Sequence, residues 1–223
     1  MSARDEILAT VRRSLGAATD DAARRAAVES RIGAGAPGLR PLRGQGDADA
    51  RARTFVDEAQ RVSVTIERVA SLDLVPEAAA RFLRARNLAA HIRMGEDARL
   101  AAMPWSATQL EMTRGPSAGD DLNAISFAEA GVAETGTLVF VSGAHNPTTL
   151  NFLPDNHIAV LRTADIEADY EAVWIRLRAR FGKGVLPRTV NFVTGPSRSA
   201  DIEQKLLLGA HGPRSLHIIM VDD

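Results

Sequence analysis

Cysteine is absent from the chain. That absence excludes a disulfide framework, a thiolate-ligated zinc and a cysteine-held iron–sulfur cluster within it. Lysine is almost absent as well: Lys183 and Lys205 are the only two, so positive charge rests on arginine. Arginine favours planar pairing with carboxylate or phosphate, although beside so much alanine a biased genomic base composition is the simpler cause. Net charge is nearly nil, at −1, which argues against nucleic acid held by bulk electrostatics. No uninterrupted apolar run approaches the ~20 residues of a membrane span. The opening residues 1–11 hold Asp5 and Glu6 and no apolar signal core, so a cytoplasmic protein is the expectation. The five histidines show no metal-ligand spacing, and no metal is expected.

What is present is 223 residues with an ordinary 45% apolar content, enough for one substantial domain or for a domain plus an appendage. Ser2 followed by Asp5 reads as a capping box, and Ile7, Leu8, Val11 and Leu15 then fall on one face before Gly16, giving an amphipathic helix over residues 1–16. Its apolar stripe must dock on its own domain, on a second copy or on a partner. Residues 17–50 are alanine, glycine, arginine and aspartate with almost no large apolar side chain, the composition of a flexible linker.

From residue 51 to 223 the pattern is that of an α/β domain. A helix to about residue 60 is followed by a strand with Val62, Val64, Ile66 and Val69, and by a helix with Pro76 in its first turn and Asn87 at its end. Residues 88–94 and 110–113 read as strands around a short helix over 97–103 that Pro104 stops. Strands follow at 124–127, 138–141 and 157–161, then a helix at 168–181 with Tyr170, Val173, Trp174 and Leu177 on one face. Two last strands, 190–194 and 217–221, bracket a polar, glycine-rich segment. This alternation predicts βαβ units and a largely parallel sheet.

That bracketed segment concentrates the groups a small polar ligand needs. Gly195-Pro196-Ser197-Arg198-Ser199-Ala200-Asp201-Ile202-Glu203 reads as a strand-to-helix anion site, with Ser197 and Ser199 hydroxyls, helix amides and the Arg198 charge. The bland alternative is that Ser199 caps a helix through Leu208 and that Asp201 and Glu203 favour its positive end. Gly209-Ala210-His211-Gly212-Pro213-Arg214 leaves the His211 ring uncovered between glycines, available as an acid–base group or ligand contact. Upstream, Glu134 sits beside Thr135 and Thr137 in a turn between two strands, where it can serve as base, nucleophile or ligand acceptor, or merely tie down the turn. His157 and His217 read as structural histidines. If the loops meet on one sheet edge, Glu134, Ser197 and His211 form one pocket floored by backbone at Gly136, Gly195 and Gly212.

Four stretches in order, Ala133-Glu134-Thr135-Gly136-Thr137, Leu153-Pro154 with His157 soon after, and the segments opening at Gly195 and Gly209, resemble the LUD domain of the lactate utilization protein C (LutC/YkgG) family. The resemblance is specific over residues 120–223, weaker over 51–119 and absent before; Ser199 replaces the family's commoner threonine and keeps the hydroxyl. It implies a NagB/RpiA/CoA-transferase-like fold, a three-layer α/β/α arrangement around a mostly parallel sheet. It also implies participation, with iron–sulfur partner proteins, in oxidising L-lactate to pyruvate, without settling this component's own chemistry. The clusters must then sit on those partners, since this chain has no cysteine. The candidate catalytic groups are Glu134 and His211. The candidate contacts to a small anionic ligand are Thr135, Gly136, Thr137, Gly195, Ser197, Arg198, Ser199, Asp201, Gly212 and Arg214. A stand-alone enzyme on a phosphorylated or CoA-linked acid, and a non-catalytic interaction module using the N-terminal helix, stay open, as does homo-oligomerisation.

Overall fold

The computed structural model describes residues 2–16, 21–202 and 205–222, with residues 199–202 and 205–208 described as backbone. It divides into two compact units, one ending at Leu39 and the other beginning at Arg40. In the first, helix α1 (Ala3–Ser14) starts at the capping box read from the sequence: the Asp5 amide donates to the Ser2 hydroxyl, and the Asp5 carboxylate accepts the Ser2 amide at 2.9 Å. A second helix, α2 (Ala22–Ala34), runs from an Asp21 cap to Gly35 in the left-handed conformation. It stands where composition suggests a linker, because alanine needs no apolar face to favour a helix. No residue of either helix is buried. Residues 17–20 of that segment lie outside the described residues.

The second unit opens with α3 (Ala48–Arg61), β1 (Thr65–Val69), α4 (Val75–Ala85), β2 (His91–Met94), α5 (Ala98–Ala101), β3 (Glu111–Arg114) and β4 (Asn123–Phe127). A hairpin of β5 (Ala130–Val132) and β6 (Thr137–Val141) follows, then α6 (Thr148–Phe152), β7 (Asn156–Arg162), β8 (Ile166–Glu167) and α7 (Tyr170–Phe181). The chain closes with β9 (Val190–Val193), β10 (Arg198–Ile202), β11 (Lys205–Leu208) and β12 (Ser215–Val221). The principal sheet has six strands in the order β1-β12-β7-β4-β2-β3, and every neighbouring pair is parallel. Its central strands are covered on both faces, which is why they read as nearly continuous apolar runs.

Strand alternation divides the core. Ile158 and Val160 of β7 and Ile219 and Val221 of β12 pack with Val75, Phe82 and Leu83 of α4 and with Trp105. Ala159, Leu161, Ile218 and Met220 face the other way, onto Phe55 and Ala59 of α3 and onto Leu138 and Phe140 of β6. The architecture is therefore three-layered α/β, as the family resemblance implies. A second sheet, β8-β5-β6-β9, joins the layer on that other side; β6 pairs antiparallel with both β5 and β9. The opposite face of β6, Val139 and Val141, packs on Val173 and Leu177 of α7.

The start of α7 ties this layer together. Asp169 accepts the Ala172 amide at 2.8 Å as helix cap and the Gln45 side-chain amide at 2.7 Å, and it is 1% exposed. Asp169→Ala removes both bonds and leaves two donors without them, so urea denaturation should show a loss of about 1–2 kcal/mol at unchanged m-value. A loss indistinguishable from zero would remove Asp169 from this role.

Two expectations are corrected. The stretch read as a helix from Ser199 through Leu208 is a hairpin: β10 and β11 pair antiparallel, with Arg198 opposite Leu208 and Ser199 opposite Leu207. Its base is clamped, since Gly209 N–H donates to Ser197 O at 3.0 Å and Ser197 N–H donates to Pro213 O at 2.8 Å. Backbone pairing overrides a helix propensity that is only a weak preference. The bracketing strands, moreover, belong to different sheets, β9 to the small one and β12 to the large one.

Candidate functional site

Because β9 and β12 lie in different sheets, the segments that follow the one and precede the other close over a gap between them. A cavity of about 280 Å³ occupies this place. Its outer wall is Gly195, Pro196, Ser197, Arg198, His211 and Gly212; its inner wall includes Phe192 and Thr194 from the end of β9, Asn151 and Phe152 from the end of α6, and His157 and Leu216 from β7 and β12. His157 and Leu216 are register partners near the starts of their strands. The cavity thus sits at the amino ends of β7 and β12, whereas open α/β sheets usually bind ligands at carboxyl ends.

The outer wall is held by its own hydrogen bonds. The Ser197 hydroxyl accepts the His211 amide at 3.3 Å, fastening the two glycine-rich segments side by side. Arg198 donates to the Ser63 hydroxyl, and Ser63 is itself in a left-handed backbone conformation. Arg198 and His211 are exposed at the rim, so cationic and imidazole groups stand where a ligand enters. With a hairpin in place of a helix, no helix amides converge here. The charge of Arg198 and the hydroxyl of Ser197 are what the rim offers an anion.

The other candidate residues are placed as follows. Glu134, Thr135, Gly136 and Thr137 form the turn between β5 and β6 and are not among the residues lining the cavity. Glu134 is 4% exposed; its amide donates to Ala168 O, and its Cβ lies under Gly44. Gly136, at φ +64°, is pressed onto α3, where an added Cβ would stand 2.3 Å from the Ala59 nitrogen. Gly195 similarly abuts Val62 but lines the cavity, as does Gly212, which faces Ser197; of the three glycines expected as pocket floor, Gly136 is the one not among the lining residues. The turn does reach the cavity through hydroxyls. Thr135 and Thr137 share a contact of 2.7 Å, both bond Tyr170 Oη, and Thr137 contacts Thr194 Oγ1 at 2.7 Å. Arg214 pairs with Asp155 at 3.5 Å, away from the lining. Ser199 and Asp201 belong to β10. Glu203 lies outside the described residues.

The sequence reading missed the inner wall. His157 is fully buried, its ring centroid is 5.2 Å from that of Phe140, and neither ring nitrogen has a hydrogen-bond partner. Burial pushes its pKa down to about 3, so the ring is neutral near pH 7. Asn151 is also buried, but its amide is committed: it donates to Ser126 and Asn146 and accepts from Asn146 and Asn191. The signal for His157 in the sequence is period-two alternation, which puts it on the same face as Ala159 and Leu161, a position where an apolar residue is expected. Among the described residues, no three histidine or carboxylate side chains converge to hold a metal ion, and no helix is long and apolar enough to cross a membrane.

A model of the LUD domain matches residues 52–221. The chain belongs to the LUD domain family. The match takes in the cavity, the turn at Glu134 and both sheets, and begins inside α3. Among proteins similar to this LUD domain are three named "Lactate utilization protein C": from Geobacillus sp. strain WCH70, 38% identical over 100 residues; from Bacillus subtilis strain 168, 36% identical over 100 residues; and from Shouchella clausii, 36% identical over 99 residues. Each alignment covers 44% of this chain and 42–43% of the relative, so the match spans less than half the length of these relatives. Among solved structures, a DUF162 family protein from Deinococcus radiodurans superposes with a TM-score of 0.57 over 79% of this chain and 99% of its own, at 23% identity. That likeness establishes the fold.

Proposed function

We propose that this LUD domain is a component of an L-lactate utilization system, acting with iron–sulfur partner proteins in the oxidation of L-lactate to pyruvate, and that the cavity between its two sheets holds a small anionic ligand. The observation that carries the ligand part is the convergence of Ser197, Arg198 and His211, from two segments separated by a hairpin, on one cavity mouth. A volume of about 280 Å³ suits a small acid rather than a CoA thioester. The lactate part is supported by the names of the relatives, and the absence of cysteine assigns any clusters to the partners. Arg198 is read as the counter-ion of the ligand, with Ser197, Gly195 and Gly212 as its surroundings. His211 is the proton-transfer group nearest the rim, and Glu134, in the turn whose Thr137 hydroxyl contacts Thr194, is a second candidate acid–base group.

A thermal-shift screen with L-lactate, pyruvate, sugar phosphates and coenzyme A tests the binding part, because a ligand of the folded state at about 100 times its Kd adds ~2.7 kcal/mol of stability. L-Lactate or pyruvate should raise the melting temperature, and Arg198→Ala should abolish the shift without lowering the unliganded value by more than a degree or two. Stabilisation by coenzyme A or sugar phosphates alone would favour a stand-alone enzyme. In the host, deleting the gene should stop growth on L-lactate. Complementation by Glu134→Gln, which keeps shape and removes charge, should fail if Glu134 has an acid–base role; unaltered growth of the deletion strain would contradict the lactate assignment.

A further inference from the structure

One fully buried polar group of the cavity lining, the His157 ring, has no hydrogen bond in the fold. Leaving both nitrogens of a buried imidazole without partners costs on the order of 1–3 kcal/mol per group, and no hydrogen bond of His157 repays it. The other fully buried polar side chain of the wall, the Asn151 amide, has its bonds filled by Ser126, Asn146 and Asn191. His157 therefore has the unused donor and acceptor in the inner wall; its ring packs on Phe140, and its register partner Leu216 lines the cavity beside it.

Such a place rejects charge and accepts a hydrogen-bonding oxygen. A carboxylate driven against Phe140 and Leu216, away from Arg198, would lose its hydration without a cation to replace it. An uncharged hydroxyl or carbonyl can take an N–H bond from the ring, and a hydroxyl can also return one. The two ends of the cavity thus differ in the chemistry they offer: a cationic rim at Arg198 and His211, and a neutral imidazole set in apolar surroundings.

We infer that His157 is a specificity-determining residue, which reads the uncharged oxygen of a small hydroxy or oxo acid whose carboxylate is held at the Arg198 rim. This rests on the anion-binding reading of the same cavity. The ring is sealed from solvent, so the ligand reaches it by displacing part of the cavity wall.

The test is a binding comparison on the full chain with L-lactate, pyruvate, propionate and hydroxyacetone, read by calorimetry and by the ¹⁵N resonances of the His157 ring. Propionate keeps the carboxylate and lacks the second oxygen; hydroxyacetone keeps a ketone and a hydroxyl and lacks the carboxylate. Wild type should prefer L-lactate or pyruvate to propionate by about tenfold or more, the penalty for leaving a polar site unpaired. His157→Phe, or His157→Leu if the larger ring disturbs the fold by circular dichroism, should bring that preference to within about threefold. Equal binding of the three acids in wild type and variant, with the ring resonances unmoved, would overturn the role of His157 and leave the anion site standing. If no acid binds, the anion reading falls and hydroxyacetone decides the remainder: movement of the ring resonances upholds His157 as an oxygen-reading group, and no movement overturns it.

Discussion

Acidification from pH 7 to near pH 4.5 should cost this domain on the order of 4–6 kcal/mol through His157 and His217 together, about half from each. His157 is held down to about pKa 3 by burial. His217 is held down to about 4, chiefly by burial, then by the nearby Arg86 charge, with its bond to Thr65 opposing. His217 stacks on Phe82 at 4.2 Å between centroids, and its Nδ1 lies 2.9 Å from Thr65 Oγ1. Both folded values lie below the unfolded value of 6.5. The unfolded chain therefore binds more protons between the two values. Stability from these rings is complete above pH 6.5 and drains as pH falls toward 4 and then 3. Asp97, Asp222 and other carboxylates with lowered pKa values act in the same direction only below about 3.8. Since whole domains are stable by only ~5–15 kcal/mol, unfolding should set in before the carboxylates titrate. Urea midpoints across this range should fall steeply in wild type, about half as steeply in His157→Phe or His217→Phe, and hardly at all in the double variant. Identical profiles for all four proteins would contradict the account of both rings.

Gly136→Ala should destabilise the domain by about 3 kcal/mol or more, because two independent obstacles coincide. The backbone at φ +64° disfavours any side chain, and the new Cβ would meet the Ala59 nitrogen at 2.3 Å and its Cα at 2.6 Å. Those atoms belong to the α3 backbone and cannot rotate aside, so α3 must lift from the sheet layer that Phe55 and Ala59 help to bury. Gly212→Ala is the contrast. Its Cβ would meet Ser197 Cβ at 3.3 Å, a contact that a small shift relieves, so it should narrow the cavity mouth with little loss of stability. Melting curves for the two variants distinguish these roles. A stable Gly136→Ala that loses ligand affinity would return Gly136 to the pocket.

What the sequence made legible was local. The capping box at Ser2, the left-handed turn at Asn87 and the apolar runs of β4, β7 and β12 each depend on neighbours a few residues apart, and each can be read from spacing. What it hid was non-local. Nothing within residues 190–194 distinguishes a strand of the large sheet from one paired antiparallel to β6. The stretch after Ser199 has helical composition, yet the clamp of Ser197 onto Pro213 and Gly209 decides for a hairpin. Glu134 stands in the β5–β6 turn of the same sheet as β9 yet is not among the residues lining the cavity, while Ser197 and His211 meet across the base of the hairpin. His157 looked structural because a lone histidine in an apolar run usually has a partner; only the packed surroundings show that both its nitrogens lack one.

The central claim is that one cavity, bounded by the Gly195 and His211 segments, is the ligand site of this LUD domain. Its most direct test is a backbone-amide NMR titration of the full chain with pyruvate. The predicted result is a saturable set of perturbations centred on residues 194–198, 211–213 and 157, with smaller changes at Thr137 through its contact with Thr194. Perturbations centred on Glu134 and Gly44, or on the Arg214–Asp155 pair, with the cavity residues unmoved, would contradict it.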